Sequence, residues 1–307
     1  MCLKDSCGRQ LSCPNRRFIS RFEIPATERE PARAAQARNN ATWFLWAAGF
    51  AYHTEDASNM SNLLQDKVTV VTGGTSGIGL GIAKRFASEG AFVYITGRRQ
   101  SQIDSAVATI GDCATGVRCD SSSLADLDAL YQRIESDRRH VDVLVANAGI
   151  GELAPLGSIT EEHFDKTFST NVKGVLFTVQ KALPLLCSGA SVILIASTTS
   201  TKGSPTFSVY GATKAAVRNF ARSWIQELKG RDIRVNVLSP GPIRTPGLAG
   251  LADGPEEAFF ERRALSVPMG RLGDPDEIGK AAIFLASDAS SFVNGAELFV
   301  DGGEAQI

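Results

Sequence analysis

Tyr210 and Lys214 stand four residues apart in Ser208-Val209-Tyr210-Gly211-Ala212-Thr213-Lys214. On a helix, positions i and i+4 share one face, so a phenol and an ammonium can meet over the same ligand. A cation about 4 Å from the phenol contributes on the order of 4 kcal/mol at an effective dielectric near 20. Because about 1.4 kcal/mol moves an ionisation tenfold, such a field would bring a tyrosine from about 10 toward about 7, where a general acid or base works at neutral pH. A tyrosine and lysine so spaced also occur as an ordinary pair on a surface helix, so their meaning depends on what surrounds them. A helix is expected from Val209 to Lys229, because Ala215, Ala216, Val217, Phe220, Ala221, Trp224, Ile225 and Leu228 recur at the spacing of a buried stripe.

From Lys67 onward, short β-branched runs alternate with longer helical patterns. Candidate strands are Val68 to Thr72, Phe92 to Thr96, Val117 to Cys119, Val141 to Ala146, Val192 to Ala196, Ile233 to Leu238 and Leu298 to Val300. Between them the spacing predicts helices over Ile78 to Glu89, Leu124 to Ser136 and Glu161 to Pro184. Alternation with near-continuous apolar strands implies an α/β fold, a doubly wound Rossmann-like sandwich with a seven-stranded parallel sheet and helices on both faces. Ligands of such sheets sit beyond the carboxyl ends of the strands, near the switch in strand order.

The first strand runs into Thr72-Gly73-Gly74-Thr75-Ser76-Gly77-Ile78-Gly79 and then directly into a helix. Glycines there allow a tight turn and a close approach of a pyrophosphate to the backbone, while the N–H groups at the helix start attract its charge. The spacing is G-x-x-x-G-x-G rather than the commoner G-x-G-x-x-G, and the strand before and helix after supply the context. About twenty residues further on, where an acid would bind the ribose hydroxyls of NAD, the chain has Arg98 and Arg99 and no acid between Ala91 and Ser101. A guanidinium there suits the 2′-phosphate of NADP(H), which is favoured, with NAD(H) possible.

Composition bounds the partners. Hydrophobic residues make up 43% and charged residues 21%, which describes a soluble globular chain. The formal net charge of -1 offers no field for a polyanion, so neither nucleic acid nor a membrane surface is expected as a partner. Cys2, Cys7, Cys13, Cys113, Cys119 and Cys187 form no C-x-x-C, and His53, His140 and His163 do not stand at metal-ligand spacing, so no metal is expected and a reducing compartment is. Residues 1–59 are rich in Arg, Asn and Ala and are expected to be an irregular, poorly ordered extension, the domain proper beginning at Met60 and running over 60–307. The apolar run Ala41 to Tyr52 is too short to span a bilayer, and Asp5, Glu23, Glu28 and Glu30 weaken a transit-peptide reading. A cytoplasmic location is expected, with organellar import through the extension left open.

Taken in order, the Thr72 to Gly79 loop, Cys119-Asp120, Asn147-Ala148-Gly149, Asn171, Ser197, Tyr210 with Lys214, and Pro240-Gly241 resemble the short-chain dehydrogenase/reductase family over about residues 62 to 307. The resemblance implies a hydride-transfer oxidoreductase acting on a ketone or secondary alcohol, a carbonyl reductase or a secondary alcohol dehydrogenase. It makes Tyr210 the acid in reduction and the base in oxidation, Lys214 the group that lowers the Tyr210 pKa and holds the nicotinamide ribose, and Ser197 the residue that orients the substrate carbonyl. Asn171 corresponds to a helix-kinking, water-holding partner of the lysine. Gly73, Thr75, Ser76, Gly77, Ile78 and Gly79 would cradle the pyrophosphate, and Arg98 the 2′-phosphate. Asp120 would meet the adenine, Asn147, Ala148 and Gly149 the cofactor floor, and Ile243 and Thr245 the carboxamide. Where the family usually carries another asparagine, this chain has Ala146, a change expected to be tolerated because Asn147 remains.

The segment from about 244 to 267 resembles the family's substrate lid, with Leu248, Leu251, Phe259 and Phe260 apolar enough to line a pocket and Arg244 read as a surface charge rather than an anion site. The last strand region, Phe292 to Gly303, implies a homo-oligomer, a tetramer or dimer. The expected partner is a small-molecule carbonyl or alcohol. A 3-oxoacyl thioester reductase is a competing reading, although Arg262, Arg263 and Arg271 offer an acyl carrier little basic surface. A sugar or polyol dehydrogenase is another. A non-catalytic dinucleotide-binding sensor is the reading from a different class, and retention of Ser197, Tyr210 and Lys214 argues against it.

Overall fold

The computed structural model describes residues 62–306, and the readings of residues 1–59 lie outside them. Seven strands form one parallel sheet in the order β3-β2-β1-β4-β5-β6-β7: β1 Val68–Val71, β2 Phe92–Gly97, β3 Ala114–Arg118, β4 Val141–Ala146, β5 Leu186–Ile195, β6 Arg234–Pro240 and β7 Glu297–Val300. Strand order reverses between β1 and β4, which opens a crevice at their carboxyl ends.

Both sheet faces are buried, and the period of two is legible in the core. Val68, Val70, Leu144, Val192 and Leu194 pack on one face, against α3 (Leu124–Asp137), α5 (Gly174–Ala182) and α6 (Ser208–Glu227). Val71, Val143, Val145, Ile193 and Ile195 pack on the other, against α1 (Gly77–Ser88), α2 (Gln100–Ile110) and α9 (Pro275–Ala286). Helices α1 and α9 cross closely: a Cβ on Gly81 would lie 2.6 Å from the Pro275 carbonyl oxygen, and one on Gly279 would lie 3.0 Å from that of Gly81. Arg85 on α1 clamps the crossing through its bidentate pair with Asp276 on α9, the Nη2 donating to Oδ2 at 2.6 Å.

The spacing-predicted helix Glu161 to Pro184 is one continuous rod containing a change of pitch. Its first part, α4 (Glu161–Phe168), is capped by Thr160, whose Oγ1 accepts from the His163 N–H. A π-helical turn, Ser169–Lys173, then joins it to α5. Two helices were not anticipated. α2 starts without any side-chain cap, whereas α9 carries a full capping box, with Asp274 and Glu277 each bonding the other's backbone. The lid segment holds two more helices, α7 (Pro246–Ala249) and α8 (Glu256–Ala264). Among the described residues no helix is long and apolar enough to cross a membrane.

Candidate active site

A cleft of about 700 Å³ lies along the carboxyl ends of the strands. At one end β1 gives way to the glycine-rich turn and α1. Gly77 takes φ +53 and Gly73 φ +66, both in the left-handed region that favours glycine. A Cβ on Gly79 would lie 2.3 Å from the Gly73 carbonyl oxygen, so the turn closes only without one. Ser76, at the N-cap of α1, makes no side-chain cap bond, leaving the first N–H groups of the helix to face the cleft. Thr72 fastens the turn to β4: its Oγ1 accepts from the N–H groups of Asn147 and Ala148 at 3.0 and 3.2 Å. Asn147 Nδ2 donates back to the carbonyls of Thr72 and Gly73 at 2.8 and 3.2 Å, while Ala146 is buried as the last core residue of β4.

Arg98, exposed at the end of β2, lines the same cleft, as do Thr75, Ile78, Ala148 and Gly149. Asp120 sits at the cleft edge, its Oδ1 accepting from the N–H and hydroxyl of Ser122 at 2.9 and 2.7 Å. Ile243 is buried beside Gly273, and Thr245 caps α7 while its methyl faces Gly77.

Tyr210, Lys214 and Ser197 meet at the centre. Ser197 closes β5 and caps a short 3-10 turn, Thr198–Ser200; its Oγ accepts from Thr199 N at 3.2 Å and from Thr199 Oγ1 at 3.0 Å. Lys214 is 4% exposed, lies 5.5 Å from the Tyr210 ring centre, and donates to the Ile195 carbonyl at 2.9 Å. That bond uses one of the three ammonium donors. The other two have no protein partner among the described residues, and Nζ lies at the cleft beside Gly149, where a Cβ would come within 3.4 Å of it.

Electrostatically, the expected fall of the Tyr210 pKa toward about 7 is not what the structure gives. Burial pushes the phenol up to about 12, the neighbouring Ser197 hydroxyl pulling the other way, and the same burial lowers Lys214 to about 8. Lys214 is buried and Tyr210 half-buried, and lost hydration disfavours the charged form of each. The phenol therefore keeps its proton at neutral pH.

Asn171 is fully buried in the π turn and does not line the cleft. Its Oδ1 accepts from Ile150 N at 2.9 Å and its Nδ2 donates to the Ile150 carbonyl at 2.8 Å and to Thr213 Oγ1 at 3.1 Å. It makes no direct bond to Lys214 and instead ties the loop after β4 to α6.

The lid contributes Leu248, Leu251 and Phe259 to the cleft, while Phe260 is 1% exposed and packs inward, under the Arg244 guanidinium at 4.5 Å. Arg244 makes a bidentate pair with Glu257 at 2.9 and 3.0 Å, as befits a surface charge. Arg262, Arg263 and Arg271 are likewise paired, with Asp253, Glu304 and Glu277. Sequence reading passed over two lining features. Phe207 stacks on Tyr210 with centroids 4.3 Å apart and an 18° tilt, following a β-branched Thr206 held at φ +61 by the bond from Ala154 N to its carbonyl. Arg263 and Glu304 form the other; neither residue stands in a motif whose spacing marks it.

Residues 73–304 match the family model described as enoyl-(acyl carrier protein) reductase, of the short-chain dehydrogenase/reductase type. The chain belongs to the short-chain dehydrogenase/reductase family. Among its relatives in this family, the oxidoreductase asL5 of Sarocladium schorii is 49% identical over 246 residues, covering 80% of this chain and 98% of that one. The NADP-dependent (R)-specific alcohol dehydrogenase of Lentilactobacillus kefiri is 39% identical over 251 residues, with 80% and 98% covered. A crystal structure of a short-chain glucose/ribitol dehydrogenase from Brucella melitensis superposes with a TM-score of 0.75 at 31% identity, covering 80% and 99% of the two chains. As a short-chain dehydrogenase/reductase, the chain is an oxidoreductase that transfers hydride between a nicotinamide cofactor and a ketone or secondary alcohol.

Proposed function

We propose that this enzyme reduces a ketone with NADPH, with Tyr210 as proton donor, Ser197 as the group that orients the carbonyl, and Lys214 as the residue that grips the nicotinamide ribose. The observation that carries the reading is a buried lysine, with one ammonium bond to the Ile195 carbonyl, beside a tyrosine that lines the cleft at the end of a glycine cradle. The cradle fits a dinucleotide: the turn closes tightly only because Gly73 and Gly79 carry no Cβ, and the uncapped start of α1 offers N–H groups and a positive dipole to a pyrophosphate. Preference for NADP(H) rests on Arg98, which stands at the ribose end without a side-chain partner among the described residues, and on the NADP dependence of the Lentilactobacillus relative.

When bound, the nicotinamide supplies the hydride. The chain's own residues do the rest. Ser197, fixed by Thr199, donates toward the carbonyl oxygen as negative charge gathers there. Tyr210 passes its phenolic proton to that oxygen, giving the alcohol and a phenolate. Lys214, adjacent and dehydrated, stabilises the phenolate more strongly than it would in water. Phe207 over the Tyr210 ring and the lid side chains Leu248, Leu251 and Phe259 exclude water.

The test is NADPH oxidation over a panel of ketones, run for wild type and Tyr210→Phe and repeated with NADH. Wild-type turnover is expected to exceed that of the variant by about a hundredfold or more. Equal inertness of both proteins across the panel sinks the reading, and a preference for NADH overturns the role given to Arg98.

A further inference from the structure

The apolar side chains at the substrate end of the cleft are Leu153, Phe207, Leu248, Leu251 and Phe259, and the hydroxyl-bearing Thr198, Thr199, Ser204 and Thr206 line the cleft with them. Among the described residues, the charged groups lining that end besides Lys214 are Arg263 from α8 and Glu304. The Glu304 side chain is 8% exposed. Its Oε2 accepts from Thr198 Oγ1 at 3.1 Å, its Oε1 accepts from Arg263 Nη2 at 3.2 Å, and its main-chain carbonyl accepts from Lys202 Nζ at 2.8 Å. The carboxylate is therefore held in one place, next to the residue that follows Ser197. Arg263, with a side chain 40% exposed, gives one of its five N–H donors to Glu304 and makes no other side-chain bond among the described residues.

A guanidinium fixed by a buried carboxylate presents oriented donors with its net charge largely cancelled. An anion gains little there, since Glu304 repels it. An uncharged acceptor oxygen gains a directed hydrogen bond beside the apolar lid side chains. We infer that Arg263, held by Glu304, reads a second oxygen on the substrate, so that the enzyme takes ketones carrying an uncharged acceptor, such as an ester carbonyl or a hydroxyl, ahead of hydrocarbon ketones of equal size. The inference rests on the ketone-reductase reading of the same site.

The experiment uses the full chain with NADPH and compares 2-heptanone with a series of methyl keto esters, the ester carbonyl two, three or four carbons from the ketone, and with the matching keto acids. Wild type is expected to favour at least one keto ester over 2-heptanone in kcat/KM by about threefold to tenfold, the worth of one directed hydrogen bond. Arg263→Met is expected to collapse that ratio mainly through KM, and Arg263→Lys, which keeps a cation and donors, to retain part of it. A wild-type enzyme that shows no such preference overturns the inference. So does an Arg263→Met variant that lowers every substrate by the same factor, which is what a purely structural strut would do. Keto acids preferred over their esters overturn the neutral-oxygen assignment. Should Arg263→Met fail to fold, the wild-type series and Arg263→Lys still decide. Failure of wild type to reduce any ketone would instead refute the reductase reading itself.

Discussion

Replacing Lys214 with methionine should make the protein more stable at pH 7 while disabling it. Lys214 is almost completely buried, and burial lowers its pKa from the ordinary 10.5 to about 8. That drop corresponds to about 3 kcal/mol of penalty on the charged form in the folded state. Methionine keeps the stem in the helix and removes the charge, but it leaves the Ile195 carbonyl without its donor, at a cost of about 1.5 kcal/mol. The balance at pH 7 is a gain of about 1 to 2 kcal/mol for Lys214→Met. The pH dependence is the sharper test. The unfolded lysine holds its proton up to about 10.5 and the folded one only to about 8, so between these values the unfolded state binds more protons and wild-type stability rises with pH relative to the variant. The penalty is fully present below pH 8 and gone above 10.5, so the order of stability should reverse as pH rises through that window. Urea unfolding of both proteins without added cofactor at pH 7, 8, 9, 10 and 10.5 measures it. A gap that stays constant across this range would show that Lys214 is not held in a desolvated, pKa-lowered state, and the electrostatic argument for the site would fall with it.

Three other expectations are simpler. Gly79→Ala places a methyl 2.3 Å from the Gly73 carbonyl oxygen, and the shift of the turn should weaken NADPH binding by about ten- to a hundredfold, read by cofactor fluorescence titration. Asn171→Ala orphans the N–H and carbonyl of Ile150 and should cost about 2 to 3 kcal/mol in urea unfolding while lowering kcat; a variant as stable as wild type would show that those bonds hold nothing. Arg98→Ser should cut the ratio of kcat/KM with NADPH to that with NADH by about tenfold or more, and an unchanged ratio places the 2′-phosphate elsewhere.

The layered fold was readable because its strands bury both faces. β4, Val141–Ala146, begins and ends where the apolar run does. β3 was read short, because Ala114, Thr115 and Gly116 carry no strand pattern; packing makes them a strand, since Ile103 of α2 fills the space a Cβ on Gly116 would need, at 2.0 Å. β5 begins at Leu186, before the apolar run, and shifts register against β4 between Val141 and Val143, a bulge that periodicity alone does not reveal. The start of α9 was legible in Asp274-Pro275-Asp276-Glu277 and was passed over. At the site, the motif residues converge on one cleft, with Asn171 behind it. The charge state of Tyr210 was not readable, because spacing along a helix says nothing of how much water each group loses. Nor were Phe207 and Glu304, which reach the cleft through a strained loop and a distant segment.

The π turn at Ser169–Lys173 also fixes how the gene can vary. Such a turn accommodates about one residue more than an α-helical one, so it acts as a phase adjuster between α4 and α5. Losing one residue here would let the rod close into regular α-helix with α5 still in phase with α4, because the residue removed is the extra one the wide turn holds. Val175, Val179 and Ala182 would then stay on the core, while Asn171, carried on the wide turn, would leave Ile150. Length changes should therefore be accepted in the exposed stretch after β4 around Pro155 to Ser158; a one-residue deletion in the π turn should keep the core and cost the Asn171 bonds, whereas one within α5 itself would turn its buried face by about 100°.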